Sequence, residues 1–469
     1  MLAEVQLLGH HRPLSAADER QLAAEVGRLG ELLDGWVSLP SDERYTKARL
    51  TFNGLLDRRP ALAVSCRSVD DVRNAVEVAC RLSLPISVRG GGHSVAGHGV
   101  GADAVLVDLS HMNDVAVDPS GRRVRVAGGA VWNDVDPATQ ERGLAVPGGT
   151  FGDTGVGGLT LGGGIGYLIG VAGLTCDNLV RAELVTPAGD VVVAGEDGDL
   201  ELLWALRGGG GNFGIVTSFE LTLHERGPML GGYVAFRLED TASVLTGVAE
   251  LMREAPDELV AQPAIRVGSE HAYPACVVMF AYAGDPRSGG RSVEAIRRLA
   301  VPLAEDVGPM SYLQVQAMNE LLPFGLRHYW SGHFVTDLEP EAISAICERL
   351  DATTGLNLIL FESLTGQARR TDPSSAAFPA REARWNVTGM SVWTDPAEDA
   401  EQVAWARALS EAVAPWSMLG GGYLGYAPHD EPASRIETTF GAERWARLRA
   451  VKRTYDPANV LRFNPNIAP

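Results

Sequence analysis

Apolar and polar positions follow two different patterns along this chain, and the change falls near residue 226. Before it, short apolar runs at 61–64, 86–88 and 104–109 predict buried strands. Between the first two runs, apolar positions recur three and four residues apart over 69–79, which predicts a helix. A helix is also predicted at 15–34, and residues 61–88 then predict a strand, a helix and a strand.

Beyond residue 226, alternating apolar strands are interleaved with helical patterns. The predicted strands are 233–238, 275–282, 356–362 and 385–393, and the predicted helices are 240–254, 339–351 and 398–413. A final amphipathic helix is predicted at 443–455, before Pro457. We expect an α+β protein whose first domain covers 1–226 and whose second covers 227–425, with 426–469 returning to the first.

Glycine is concentrated in one part of the chain, because 30 of the 54 glycines lie between residues 90 and 214. They form three loops, at 90–92, 157–166 and 209–214. The third matches G-x-G-x-x-G, but a predicted helix precedes it and a predicted strand follows, the reverse of a nicotinamide dinucleotide motif. The second is too rich in glycine to predict a helix. Three loops of backbone N–H groups predict a cradle for a long ligand with a pyrophosphate, such as a dinucleotide.

Charge and cysteine content exclude several classes of function. The net charge of -19 argues against nucleic acids and anionic membranes as partners, because both repel an acidic surface. The five cysteines show no metal-ligand spacing, so no metal site is predicted. The first twenty residues lack a signal peptide's apolar run, and no apolar stretch is long enough for a membrane span, which favours a cytoplasmic protein.

Four glycine-rich blocks and the tail resemble those of a known family. RGGGHS, GLTLGGGIGYLIG, GLTCDNL, RGGGGNFGIVTSFEL and the closing RLRAVKRTYDPANVLRFNPNI resemble the berberine bridge enzyme-like FAD-linked oxidases of the vanillyl-alcohol oxidase/p-cresol methylhydroxylase superfamily. The resemblance implies a two-domain fold with an FAD-binding core at about 57–226. Its substrate domain would contain an antiparallel sheet with flanking helices.

The resemblance implies that His93 bonds the 8α-methyl carbon of the flavin and Cys176 bonds C6, so that FAD is attached twice. The residue types suit this chemistry, because a neutral imidazole is a nucleophile near pH 7 and a cysteine reacts as its thiolate. Further cofactor contacts are implied for Arg89, Gly90, Gly91, Gly92, Ser94, Gly158, Leu161, Gly162, Gly163, Asp177, Asn178, Gly214, Val216, Asn464 and Asn466.

The family resemblance also points to a catalytic tyrosine. Tyr423 and Tyr426 match a Tyr-x-Asn-Tyr block whose second tyrosine takes the substrate hydroxyl proton, although Gly425 stands where asparagine is usual. A phenol needs a lowered pKa to act as this base near neutral pH. The implied reaction takes a hydride from a hydroxyl-bearing sugar, oligosaccharide or secondary metabolite to FAD, and O2 becomes H2O2. No oligomeric state is predicted.

Two alternatives remain open from the sequence. Leu179 occupies a position where a bulky residue hinders oxygen in related plant enzymes, which favours a dehydrogenase with another acceptor. Gly425 favours a flavin-binding protein that has lost catalysis. Candidates for the substrate pocket are Tyr329, Trp330, His333, Gln367 and Trp393.

Overall fold

A computed structural model describes residues 16–267, 273–319, 322–351 and 355–469. In these ranges the strands are β1 (Trp36–Ser38), β2 (Leu62–Ser65), β3 (Ile86–Arg89), β4 (Val105–Asp108), β5 (Val115–Asp118), β6 (Arg123–Ala127), β7 (Leu144–Ala145), β8 (Leu179–Val185), β9 (Val191–Gly195), β10 (Ile215–Thr222), β11 (His224–Glu225), β12 (Met229–Phe236), β13 (Leu259–Arg266), β14 (Ala275–Tyr282), β15 (Ala304–Met310), β16 (Arg327–Val335), β17 (Leu356–Ser363) and β18 (Trp385–Trp393). The helices are α1 (Ala16–Leu32), α2 (Glu43–Ala48), α3 (Val69–Leu82), α4 (Trp132–Gln140), α5 (Val156–Gly162), α6 (Ile169–Ala172), α7 (Leu200–Leu206), α8 (Thr241–Arg253), α9 (Gly290–Arg297), α10 (Tyr312–Gln316), α11 (Pro340–Cys347), α12 (Gly366–Arg370), α13 (Asp399–Val413), α14 (Ala433–Phe440) and α15 (Ala442–Tyr455).

The predicted β-α-β start is confirmed in the first sheet, whose order is β1-β2-β4-β3. Strands β2 and β3 both pair with β4 in parallel, as a helical crossover requires. Ser68 caps α3 by accepting a hydrogen bond from the Asp71 N–H at 3.2 Å. The helix buries Val72, Val76 and Ala79, the face that its apolar spacing predicts.

The second sheet has the order β5-β6-β10-β8-β9, and all its neighbours are antiparallel. Strands β8 and β9 form a hairpin in this sheet. The third glycine loop lies between α7 and β10, so the predicted order of helix, loop and strand is confirmed. Phe219 of β10 and Trp132 of α4 pack in the core of this domain.

The second glycine loop was predicted not to form a helix, and this prediction is wrong for the first part of the loop. Residues Val156–Gly162 form α5, in which Val156 and Thr160 are fully buried. A helix with three glycines is intrinsically weak, but packing against the surrounding core compensates for its poor propensity. The helix ends at Gly163, whose φ of +130° favours glycine.

The third sheet contains seven antiparallel strands in the order β15-β12-β14-β13-β17-β18-β16. One face packs under α8, α11 and α13 through residues such as Phe361 and Val387. Because strand residues alternate between faces, the opposite face carries Trp330, Leu360 and Glu362, and Trp330 and Leu360 pack with Phe52 of the first domain. This is the predicted α+β fold, and the sheet presents a wall to the glycine-rich domain.

The C-terminal segment returns to the first domain, where Leu448 and Val451 of α15 share a core with Leu203 and Leu206 of α7. The divisions near residues 226 and 425 stay predictions, since core packing does not mark a boundary residue. Over the ranges described above, no helix combines the length and apolar character needed to cross a bilayer.

Candidate functional site

A cleft of about 290 Å³ lies between the glycine loops, the C-terminal tail and the wall of the third sheet. Most of the residues predicted to bind a cofactor or act in catalysis line it together: Gly90, Gly91, Gly92, His93, Ser94, Gly158, Leu161, Gly162, Gly214, Val216, Tyr423, Tyr426 and Asn464. Three loops distant in sequence thus converge on one elongated site.

The backbone around the cleft fits a dinucleotide. A side chain at Gly158 or Gly211 would meet no protein atom within 4 Å, so space remains in front of both backbones for a ligand. The side-chain Oδ1 of Asn464 is buried without a hydrogen-bond partner and lines the same space. Among the described residues, no Asp, Glu, Lys or Arg lines the cleft, so N–H groups rather than cations would hold a pyrophosphate.

His93 is held in the cleft by an aromatic ring and a carboxylate. Its imidazole stacks on Phe52 with ring centroids 4.1 Å apart and planes inclined by 17°. On the other side of Phe52, His328 stacks in the same way at 4.2 Å. The Nε2 of His93 lies 3.2 Å from Oδ1 of Asp153. The plane and the hydrogen-bonding of this imidazole are therefore defined before any ligand binds.

Cys176 is not among the residues that line the cleft, and its predicted bond to the flavin stays a prediction. The residue lies in a short 3₁₀ helix, Thr175–Asn178, and is fully buried in a cluster with Leu174 and Ile169. Burial, reinforced by the adjacent Asp177 carboxylate, raises the pKa of the Cys176 thiol far above its ordinary value. The thiol is therefore neutral and buried in this structure, and only the thiolate would react with a flavin.

The two residues after Cys176 have structural roles, and their FAD contacts stay predictions. Asp177 forms a buried two-point ion pair with Arg381 and accepts a hydrogen bond from the Leu174 N–H. Asn178 donates to the carbonyls of Ala172 and Leu174, both at 2.9 Å. Neither side chain lines the cleft, because both hold their own segment in place.

Three other predicted cofactor residues lie behind the lining. Arg89 pairs with Asp108 at 3.0 Å and donates to the Leu50 carbonyl, which ties the first loop to its sheet. Gly163 faces Phe378, and Asn466 sits in the tail with a buried, unpartnered Oδ1. None of the three is among the residues that line the cleft, and their contacts with FAD stay predictions. Leu179 is likewise fully buried and not among the lining residues, and its effect on the reaction with oxygen stays a prediction.

The two predicted catalytic tyrosines have different environments. Tyr423 accepts a hydrogen bond from the Gly164 N–H at 3.0 Å, so its hydroxyl is engaged with backbone. Tyr426 donates to Oε1 of Glu362 at 3.0 Å, and its ring meets that of Tyr423 edge to face. A side chain at Gly425 would come within 2.8 Å of the Tyr423 ring, which explains why glycine stands there.

Glu362 is the main residue that the sequence interpretation missed. It is fully buried, and burial raises the pKa of its carboxyl to about 7, although hydrogen bonds from Asn386 and Tyr426 oppose this. The Asn386 side chain donates to its second oxygen at 2.8 Å. Burial and the neighbouring carboxylate also raise the pKa of Tyr426 well above its ordinary value. One sequence signal was available, since Glu362 is an acidic residue on the otherwise apolar inner face of β17.

Side chains alternate between the two faces of a strand, so only some of the residues predicted for the substrate pocket reach the cleft. Trp330 points to the inner face and lines the cleft. Tyr329 and His333 lie on the same strand, β16, but point to the other face and do not line the cleft: Tyr329 donates a hydrogen bond to Asp430, and His333 lies 3.1 Å from Ser410. Gln367 and Trp393 also lie outside the lining, where Trp393 donates to Asp399. Phe151, which the sequence interpretation did not consider, lines the cleft near His93.

A buried lysine joins the third glycine loop to the tail. Lys452 Nζ donates to the carbonyls of Asn212 and Leu461 at 2.9 and 3.0 Å and pairs with Asp456 at 2.6 Å. Asp456 in turn accepts from the backbone N–H groups of Val460 and Leu461. Both edges of the cleft near Asn464 therefore depend on this ion pair.

We expect Lys452→Met to destabilise the protein by about 3–5 kcal/mol, because it leaves the Asp456 carboxylate buried and unpaired. Retention of FAD should weaken as well, since the loop and the tail lose their common anchor. Denaturant unfolding and FAD release on dilution measure the two effects. The chain's other lysine, Lys47, is exposed, so Lys47→Met is the control. Equal stability of the two variants would contradict the anchoring role.

Comparisons with known proteins agree with this site. Residues 60–195 match the family described as FAD binding domain, and residues 422–468 match the family described as Berberine and berberine like. The (R)-6-hydroxynicotine oxidase of Paenarthrobacter nicotinovorans is 31% identical over 454 residues, covering 93% of this chain and 97% of that protein.

Solved structures support the same assignment. The crystal structure of 6-hydroxy-D-nicotine oxidase from Arthrobacter nicotinovorans superposes with a TM-score of 0.86 at 30% identity, covering 93% of this chain and 98% of that one. The glucooligosaccharide oxidase of Acremonium strictum is described with a 6-S-cysteinyl, 8α-N1-histidyl FAD. Its structure superposes with a TM-score of 0.81 at 22% identity, covering 94% of this chain and 97% of that one. The second likeness concerns the fold alone. Since the first relatives match over nearly their whole length and the cleft fits FAD, this chain belongs to the berberine bridge enzyme-like FAD-dependent oxidases.

Proposed function

We propose that this protein oxidises an uncharged, mainly apolar small molecule at a hydroxyl-bearing carbon and that O2 is the final acceptor. The observation that carries the proposal is the pair formed by Tyr426, in the cleft, and Glu362, buried directly behind it at 3.0 Å. FAD bound in the cleft supplies a two-electron acceptor that O2 can regenerate.

The pair provides a route for the substrate's hydroxyl proton. Tyr426 is a poor base by itself, because its pKa is raised by burial. When Tyr426 accepts the substrate proton, its own proton can move along the existing hydrogen bond to Glu362, which can take it near neutral pH. Asn386 holds the carboxylate in line for this transfer. The base predicted at Tyr426 thus becomes a relay, and Glu362 becomes the proton's destination.

The cleft lining favours an aromatic secondary metabolite over a sugar. Trp330, Tyr426 and Phe151 supply aromatic surface, and Trp330 continues into an apolar wall with Leu358 and Met390. Stacking and apolar contact suit a flat, uncharged substrate. An oligosaccharide would need many more polar side chains than this part of the cleft offers.

An aerobic peroxide assay with two matched panels tests the proposal. We expect peroxide from aromatic alcohols and hydroxylated heterocycles, accompanied by bleaching of the flavin spectrum when the same compounds are added without oxygen. If only xylo- or gluco-oligosaccharides gave peroxide, the proposed aromatic class of substrate would be wrong. Anaerobic bleaching without rapid reoxidation by O2 would favour a dehydrogenase, and a flavin that no compound bleaches would favour a protein without catalysis.

We also propose that one covalent bond, from His93, attaches the FAD. His93 lines the cleft and Cys176 does not, which supports a single attachment in place of a double one. Cys176→Ala should therefore leave the absorption spectrum of the acid-stable flavin unchanged, because no bond to C6 is lost. Absorption spectra of the acid-precipitated and redissolved proteins measure this, with the exposed Cys80→Ala as the control. A clear shift in the flavin spectrum of Cys176→Ala alone would restore the double attachment.

A further inference from the structure

The Asp153 carboxylate contacts the predicted flavin-bonding residue although sixty positions separate the two in sequence. The first glycine loop crosses the segment just before α5 where this contact forms: a side chain at Gly91 would come within 2.5 Å of the Gly155 backbone nitrogen. This close crossing places Asp153 Oδ1 3.2 Å from His93 Nε2. This contact occurs at the wall of the cleft, since His93 lines it.

We propose that Asp153 is the positioning residue that prepares His93 for covalent attachment of the flavin. This inference rests on the single attachment proposed above. An Nε2–H donated to the carboxylate leaves the lone pair on Nδ1, so the hydrogen bond selects one nucleophilic nitrogen. Stacking on Phe52 holds the ring plane at the same time.

The charge of Asp153 matters during bond formation as well as before it. When Nδ1 bonds the 8α carbon, one C–H bond of that methyl group breaks and its proton leaves to solvent. The electron pair of the C–H bond remains on the flavin ring, which is thereby reduced, and O2 then reoxidises it to give H2O2. The imidazole becomes positive as the C–N bond forms, and its Nε2 proton can pass to Asp153. A carboxylate at 3.2 Å stabilises that charge.

The other histidine in the ring stack is not suited to this task. Burial lowers the pKa of His328 to about 3, so it does not accept a proton at neutral pH. Its ring is separated from His93 by the ring of Phe52. Within the described part of the chain, Asp153 is the carboxylate that contacts His93.

The test follows the rate of covalent attachment. Apoprotein of wild type, Asp153→Asn and Asp153→Glu is mixed with FAD in aerobic buffer, and acid-stable flavin is measured over time together with total bound flavin. Asp153→Asn keeps the size and an acceptor oxygen but loses the charge. The matched control is Asp190→Asn, at an exposed turn.

We expect total flavin binding to be similar in all variants, with attachment slowed about tenfold or more in Asp153→Asn. An attachment rate in Asp153→Glu between those of Asp153→Asn and wild type would support a role of the negative charge. Equal attachment rates in wild type and Asp153→Asn would overturn the inference, and so would loss of all flavin binding in both variants, which would indicate a purely structural role. Absence of acid-stable flavin in wild type would instead refute the proposed attachment on which the inference rests.

Discussion

Replacing Glu362 with glutamine should slow reduction of the bound flavin by substrate by about 10²-fold or more, the usual scale for a lost general base. Glutamine has nearly the same shape and can still accept the Tyr426 hydrogen bond, but it cannot take the proton. Stopped-flow mixing of enzyme and substrate without oxygen measures the step directly. Flavin content should be unchanged, because Glu362 does not line the cleft.

The same substitution should change the pH dependence. The carboxyl of Glu362 has a pKa raised to about 7, so it is protonated and cannot act below that value, whereas it is a carboxylate above it. The wild-type reduction rate should therefore rise as the pH increases through about 7 and then level off. In Glu362→Gln this rise should disappear. Tyr426→Phe should be slowed to a similar extent if the two residues form one relay.

The exposed Glu348→Gln provides a control for the change of charge. In this variant, substrate should reduce the bound flavin at the wild-type rate and with the wild-type pH profile. A Glu362→Gln enzyme with unchanged kinetics would show that the proton leaves by another route. If flavin reduction were slow in Tyr426→Phe and fast in Glu362→Gln, Tyr426 would act without Glu362.

His93→Ala should abolish covalent attachment, so that acid precipitation releases all the flavin from the protein. Wild type should remain yellow after the same treatment and should fluoresce as a denatured band. The reason is geometric, since His93 lines the cleft whereas the Cys176 thiol lies outside it. Some FAD should still bind non-covalently to His93→Ala, because the glycine loops and Asn464 are intact.

The exposed His111 provides the matched control, and His111→Ala should keep its attached flavin. Acid-stable flavin in His93→Ala would show that another residue forms the bond, and peptide mapping of the fluorescent fragment would identify it. Release of the flavin from wild type would show that FAD is held without a covalent bond.

Several features of the site follow from short stretches of sequence. The spacing of Val69, Val72 and Val76 was sufficient for α3, and the order of helix, loop and strand around 209–214 was sufficient to reject a nicotinamide motif. The glycine loops were also recognisable, because a run of residues without Cβ atoms has few uses other than close approach to a ligand. The role of His93 came from the family resemblance. Patterns of this kind are local, and local backbone preferences act within a few residues.

Tertiary structure decided which side chains meet. Glu362 and Tyr426 are 64 positions apart, and the pairing of β17 with β18 together with the returning C-terminal segment brings them together. Asp153 reaches His93 only because the first glycine loop crosses the segment just before α5. Cys176 follows a motif that indicated a flavin bond, yet its thiol faces a buried cluster. The sequence by itself determined that this protein cradles a dinucleotide, whereas the proton route and the attachment geometry depend on contacts between distant segments, which hydrophobic periodicity and local propensity do not encode.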